Sequence, residues 1–302
     1  MKKRLLPVLF LFFFLFGCAE KTEEPLQVAL CWYDARDRAG AQMRQAVEAA
    51  AGEQGWSVTK YDARGDQSRQ DQHLLELPSS VDLIILEPVM PGAMEQWISA
   101  FGQADVPVVF VNRQPPEQLL QNPRCAYVGT DPLEAGKLQG KIVADLPDGG
   151  DRNGDGKVRY LVIQGPEDHL TAQNTTEGCM LALGEKADNL AVASGDWTKE
   201  SGYRLCAKTL SQFGEGVEAI FCGSDAMALG ALEAAREAGR DDLYLVGLGG
   251  QPEAQTLTGT VHFDTDTYAE DVISVCRRLF AGERPGVVIS RCFGIVKKED
   301  HR

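Results

Sequence analysis

The segment Asp151-x-Asn153-x-Asp155-Gly156 sets three short, oxygen-bearing side chains at alternate positions ahead of a glycine. Loops that wrap a hard cation such as calcium use this spacing, because alternate residues aim inward and the glycine permits a sharp turn. A helix-loop-helix site closes with a glutamate at its twelfth position. Counted from Asp151 that position is Val162, inside the apolar run Tyr160 to Ile163. Either the last ligand comes from elsewhere in the chain or the segment is an acidic surface turn. If a cage forms, its role is structural, since a cation enclosed by protein oxygens leaves no open position for a substrate.

Other polar residues that could meet a ligand stand at the ends of apolar runs: Asp34 and Asp37, Glu87, Asn112, Gln164, Ser224 with Asp225, and Gly249. Polar residues open loops and cap helices in any protein, so their meaning depends on the elements that carry them. Apolar runs at 28–33, 56–61, 83–86 and 107–112 alternate with helical patterns at 39–54, 67–76 and 92–103. Beyond the acidic loop, runs at 159–164, 190–194, 217–222 and 243–248 alternate with helices at 170–184, 199–213 and 225–238. Such alternation predicts right-handed crossovers and parallel sheets, hence two doubly wound α/β lobes. Ligands bind at the carboxyl ends of such strands, so the polar strand ends predict a cleft between the lobes.

Residues 1–17 carry Lys2, Lys3 and Arg4 ahead of an apolar stretch from Leu5 to Phe16 that is too short for a membrane span. This reads as an export signal. Leu15-Phe16-Gly17-Cys18 resembles the lipobox of bacterial lipoproteins, which implies cleavage before Cys18 and a lipid on that cysteine. Residues 18–25 are charged and without apolar periodicity, and read as a tether. Loss of the three signal charges leaves 27 Lys and Arg against 44 Asp and Glu, a net charge of −17. That argues against nucleic-acid binding, which needs basic surface. Seven cysteines remain, at 31, 125, 179, 206, 222, 276 and 292, mostly in apolar runs and in no metal or redox spacing. They read as small buried hydrophobes. An enzyme finds little support: GLGGQPEA (247–254) lacks the third glycine of a dinucleotide fingerprint, and no Gly-x-Ser-x-Gly elbow or zinc-binding histidine pair occurs.

GDQSRQDQ (65–72), VPVVFVNRQP (106–115), AYVGTDPLEAGKLQGKIVA (126–144), DRNGDGKVRYLVIQG (151–165), SDAMALGALEA (224–234) and LTGTVHFD (257–264) together resemble the periplasmic sugar-binding proteins of the ribose and galactose class, with the galactose- and glucose-binding branch the nearest. The likeness spans about 28 to 296. It implies an N-terminal lobe of 26–129 plus 266–288 and a C-terminal lobe of 130–265 plus 289–302. Three segments near 129–131, 263–266 and 288–291 would cross between them and let the lobes close on one small ligand.

The resemblance also implies a closing calcium ligand, Glu218, so that Asp151, Asn153, Asp155, the carbonyl of Lys157 and a bidentate Glu218 supply six oxygens. The family tends to place a glutamine oxygen at the ninth position, where this chain has Arg159, which has no acceptor. Carried over in the same way, Asp37, Asn112 and His169 stand where sugar hydroxyls are held, and Trp197 where an indole covers the sugar ring. Asp225 keeps the family residue at the start of its helix. Elsewhere the pattern departs. The family's second aromatic shelf falls on Ala39, its charged pair after the histidine on Thr171 and Thr175, and other polar contacts on Ser224, Gly249 and Phe263. Trp32, Glu87, Gln251 and Phe263 are candidate replacements. The reading is a monomeric, lipid-anchored receptor that delivers a monosaccharide to an ABC importer. The alternative is a module of the same fold that signals to a histidine kinase or chemoreceptor without transport.

Overall fold

The computed structural model describes residues 24–36, 40–103, 105–167, 169–291 and 293–297. The expected export signal at 1–17, Cys18, Asp37, Ala39 and Cys292 lie outside the described residues. The chain runs β1 (Gln27–Trp32), α1 (Ala41–Glu53), β2 (Ser57–Asp62), α2 (Gln67–Leu75), β3 (Leu83–Leu86), α3 (Ile98–Gln103), β4 (Val108–Val111), α4 (Glu117–Leu120) and β5 (Cys125–Gly129). It continues through α5 (Pro132–Ala144), β6 (Val158–Gln164), α6 (Leu170–Leu183), β7 (Ala187–Ser194), α7 (Lys199–Phe213), β8 (Ala219–Cys222), α8 (Asp225–Glu237), β9 (Tyr244–Gly249) and β10 (Gly259–Phe263). The last elements are α9 (Thr265–Phe280), β11 (Val287–Ile289) and β12 (Phe293–Lys297).

Two six-stranded sheets result, in the orders β11-β5-β4-β3-β1-β2 and β12-β10-β9-β8-β6-β7. All pairings are parallel except that of β12 with β10. The runs LIIL of β3 and VVFV of β4 are buried along their whole length, as strands covered by helices on both faces must be. Along β1 the period of two is explicit. Val28, Leu30 and Trp32 pack with Val47 of α1 and Val272 of α9, whereas Ala29 and Cys31 pack with Leu74 of α2 and Phe101 of α3. The second sheet divides likewise, Leu161 and Ile163 facing α7 and α8 while Tyr160 and Val162 face α5 and α6.

The chain passes between the sheets three times, from β5 into α5, from β10 into α9 and from β11 into β12. Each passage leaves the carboxyl end of a strand and is only a few residues long, so the carboxyl ends of the two sheets must lie near one another. Two passages end in an aspartate that caps the next helix. Asp131 accepts from the backbone N–H groups of Leu133 and Glu134, with Pro132 in the first turn, and Asp264 accepts from those of Asp266 and Thr267. Each cap fixes where its helix starts and contributes about 1 kcal/mol.

One predicted helix is shorter than its pattern. The 92–103 segment opens as 3-10 turns over Pro91–Trp97 and becomes α-helical only from Ile98. The Pro91-Gly92 start weakens α-helical propensity, and the Trp97 indole N–H is drawn to Asp71 Oδ1 at 2.9 Å. The six described cysteines are buried, as small hydrophobes would be, and form no disulfide. Burial pushes the thiols of Cys31, Cys125, Cys179 and Cys206 up to about 12. Among the described residues no helix is long and apolar enough to cross a membrane.

Candidate functional site

The carboxyl end of the first sheet is organised around Glu87 and Asn112. Glu87 follows β3 and is fully buried. The loop that holds it is closed by one side chain: the Gln70 amide on α2 donates to the Glu87 carbonyl and accepts from the Val89 N–H, both at 2.9 Å. Glu87 Oε1 accepts from Asn112 Nδ2 at 2.7 Å, and Oε2 faces the Tyr33 N–H at 3.4 Å and Arg44 Nη1 at 3.8 Å. Burial pushes the Glu87 carboxyl up, opposed by its bond from Asn112 and by the charges of Arg44 and Arg113. The bond fixes which way the Asn112 amide points, leaving its carbonyl oxygen as the acceptor turned away from Glu87.

Asn112 has φ +61°, a left-handed conformation that asparagine tolerates better than other side chains. Three contacts hold it there. Its N–H lies 3.2 Å from the Val128 carbonyl and 3.0 Å from Tyr268 Oη, and its own carbonyl accepts from Tyr127 Oη at 3.1 Å. Tyr268 Oη donates in turn to the Val128 carbonyl at 2.8 Å. A helix that begins at a lobe crossing is thereby bonded to the candidate ligand residue. Arg113, the next residue, lays its guanidinium 3.7 Å over the Tyr33 ring and donates to the Val89 carbonyl at 2.8 Å. The wall is thus polar and aromatic, and its side chains are held by one another.

On the second sheet Trp197 is the centre. It also has a positive φ, +68°. Its indole lies so close to Gly165 and Gly223, which follow β6 and β8, that a Cβ at Gly165 would stand 2.0 Å from the ring and one at Gly223 2.9 Å. These glycines let the ring lie over the strand ends. His169 meets it edge to face, with ring centroids 5.8 Å apart at 85°. Ser224 caps α8 through the Met227 N–H and its hydroxyl donates to the Trp197 carbonyl, so its first duty is to the helix and the indole.

Several candidates are placed differently from the sequence reading. Asp225 is 1% exposed and points into the lobe. Its Oδ1 accepts from Thr260 Oγ1 at 2.6 Å and its Oδ2 from the Gln251 N–H at 2.7 Å. It braces the 249–251 turn and is not the helix cap, which is Ser224. Gly249, with φ +141°, makes room for that carboxylate: a Cβ there would stand 2.9 Å from Oδ2. Thr175 is 7% exposed and its hydroxyl donates to the Thr171 carbonyl, on the face of α6 where Gly136 of α5 approaches too closely for any Cβ. Thr171 is exposed. Trp32 is a core residue whose indole N–H donates to Glu48 at 2.8 Å. Phe263 packs between Tyr268 and Phe293 where two passages meet, and Gln251 is exposed. Gln70, Tyr268 and the Arg113–Tyr33 stack were not singled out from sequence. They act through contacts distant along the chain, and no spacing rule reveals those.

The acidic loop joins Glu218 as the resemblance implies, and its side-chain oxygens accept hydrogen bonds that shape the loop. Asp151 accepts from the N–H groups of Gly154, Asp155 and Gly156, Asn153 Oδ1 from that of Asp155, and Asp155 Oδ1 from that of Lys157. Glu218, 3% exposed, accepts from the N–H groups of Arg152, Asn153 and Arg159. At the ninth position Arg159 Nη1 sits 2.5 Å from Asp155 Oδ2. Among the described residues no group of three or more His, Cys, Asp or Glu is arranged to hold a metal ion. As placed, with a guanidinium among them, these residues do not fit the expected calcium cage.

Two lobes whose strand ends face one another across three short passages, each carrying rigidly held polar and aromatic groups, define the bilobal class of ligand-binding proteins. Residues 28–284 match the periplasmic binding protein domain family, and the chain belongs to it. It is 30% identical over 237 residues to the D-galactose/methyl-galactoside binding periplasmic protein MglB of Haemophilus influenzae, covering 74% of this chain and 71% of that one. To the ribose import binding protein RbsB of Salmonella typhimurium it is 22% identical over 250 residues, 80% of each chain. Among solved structures, an ABC transporter solute binding protein from Bacillus halodurans with bound myo-inositol superposes with a TM-score of 0.72 at 21% identity, over 91% of this chain and 95% of that one. A solute binding protein from Actinobacillus succinogenes with bound D-allose gives 0.73 at 19% identity, over 91% and 98%. At such identities the structural likeness is one of fold.

Proposed function

We propose that this chain is an extracytoplasmic solute-binding protein that closes on a monosaccharide or a related polyol, is tethered by lipid at Cys18, and hands its ligand to an ABC importer as a monomer. The observation that carries the reading is the pair formed by Asn112 and Trp197. The Asn112 amide is oriented by a buried carboxylate and turned to offer an acceptor at one strand end, while an indole lies over the facing strand ends. An amide bonds a hydroxyl directionally, and an indole covers the apolar C–H face of a sugar ring. His169 beside the indole and Asp37 complete the proposed set. The names of the relatives support a sugar, and their mutual differences leave its identity to experiment. Glu87, fully buried, serves the site by orienting the Asn112 amide rather than by touching the ligand.

Calorimetry of the signal-free protein against hexoses, pentoses and inositols tests the reading. Tight binding of one of them is the expected result; no binding across the panel refutes it. Uptake of the identified ligand by cells lacking the protein tests the transport step. Unchanged uptake would assign the chain to sensing instead.

A further inference from the structure

We propose that Arg159 is the resident cation of the 151–159 loop, its guanidinium taking the place of a divalent ion, so that this brace between loop and lobe works without metal.

The decisive feature is the guanidinium that stands among the loop's oxygens. Asp151, Asn153, Asp155 and Glu218 offer seven side-chain oxygens, and every one accepts a hydrogen bond from the protein. Six of them take backbone N–H groups, which shape the loop and seat it on Glu218. The seventh, Asp155 Oδ2, takes Arg159 Nη1 at 2.5 Å. Arg159 sits next to Asp188 in the parallel pairing of β6 with β7, and its Nε reaches Asp188 Oδ2 at 3.4 Å. One guanidinium thus joins the loop to the edge strand, the kind of forked, fixed contact for which arginine is suited. Lys157 adds a second tie to that edge through its ammonium, which donates to the Glu185 carbonyl at 2.8 Å. Arg152 lies over Tyr244 near Asp242, on the opposite side of the loop. The loop therefore carries three cations of its own, and the mutual repulsion of Asp151, Asp155 and Glu218 needs no external ion to offset it. A divalent ion brought to the same oxygens would meet the Arg159 charge directly and would have no oxygen ligand at the ninth position.

The test is thermal unfolding of the signal-free protein in chelator and in millimolar calcium, alongside terbium luminescence. The wild type is expected to melt at the same temperature in both and to give no sensitised terbium emission. A wild-type Tm that rises in calcium by several degrees overturns the proposal. Arg159→Gln restores an oxygen and removes the charge. Calcium at a hundred times its dissociation constant should then raise the Tm of this variant by about 5–10 °C. If R159Q is as indifferent to calcium as the wild type, Arg159 is not what replaces the ion. Should R159Q not fold, Asp155→Asn carries the test: its Tm falls equally in calcium and in chelator if its partner is a guanidinium, and a fall confined to calcium overturns the idea.

Discussion

Replacing Asn112 by glycine and by alanine separates its proposed ligand contact from its role in the left-handed backbone. Both variants lose the amide, and with it the proposed hydrogen bond to the ligand. A ligand hydroxyl left without its partner inside a closed cleft costs about 1–3 kcal/mol, a loss of roughly 5- to 150-fold in affinity. Both also remove the donor that Glu87 Oε1 uses at 2.7 Å, so both lower stability, by about 1.5–3 kcal/mol for a bond to a buried carboxylate. The backbone then distinguishes them. At φ +61° a non-glycine residue pays about 1–2 kcal/mol that glycine does not. Glycine gives back about 0.4–1 kcal/mol through the freedom of its unfolded chain. The net leaves N112G more stable than N112A by about 1 kcal/mol or slightly less, near 2 °C in melting temperature for a chain of this size. Calorimetry and thermal melts of the two variants read both effects. An N112G protein that binds within twofold of the wild type removes Asn112 from the site. An alanine variant more stable than the glycine one would refute the argument from the left-handed backbone.

Gly165→Ala should displace the Trp197 indole, because the new Cβ would lie 2.0 Å from it. Affinity is expected to fall at least tenfold while circular dichroism is unchanged, and tryptophan emission should shift; an unaltered emission spectrum would mean that the ring is not held there. Glu87 and Asp225 have carboxyls raised by burial. Their folded forms keep the proton longer than the unfolded chain does, so their contribution is fully present below the ordinary carboxylate range and declines as pH rises through the raised values. Asp34 and Asp196, held to about 2 chiefly by Arg36 and by Thr198, act the other way and lose their contribution as pH falls toward that value. The wild-type advantage in Tm over Asp225→Asn should therefore shrink as pH is raised from 4, and an advantage that is constant or grows would contradict the burial of that charge. The chelator and calcium comparison of wild type and R159Q completes the set.

The lobes and their strand ends were legible because parallel, helix-covered strands leave short runs such as LIIL and VVFV, which periodicity detects. Asn112 was legible for the same reason, as a polar residue ending such a run. The direction of a side chain was not. Asp225 and Asn112 look alike in sequence, each a polar residue just past a strand. One turns inward to Thr260, 35 residues away, and the other is held upright by Tyr268, 156 residues away. Nothing local encodes that difference. The same holds for Thr175, whose place on α6 is decided by Gly136 on another helix. Arg159 was legible as an anomaly of residue type, but its partner Asp188 lies on a strand that spacing does not align with the loop.

The two late passages between the lobes also bear on biosynthesis. Helix α9 supplies Tyr268, Val272, Cys276 and Leu279 to the core of the first lobe, and β11 and β12 close one edge of each sheet. Neither lobe is therefore a contiguous stretch that could complete itself as it leaves the ribosome. At ordinary elongation rates, on the order of ten seconds separates β5 from α9, and through that interval the first lobe lacks a helix on one face. A nascent chain arranged in this way postpones its final packing until nearly all of it has been made, and a chain not yet packed is the form that can be threaded through a translocation channel.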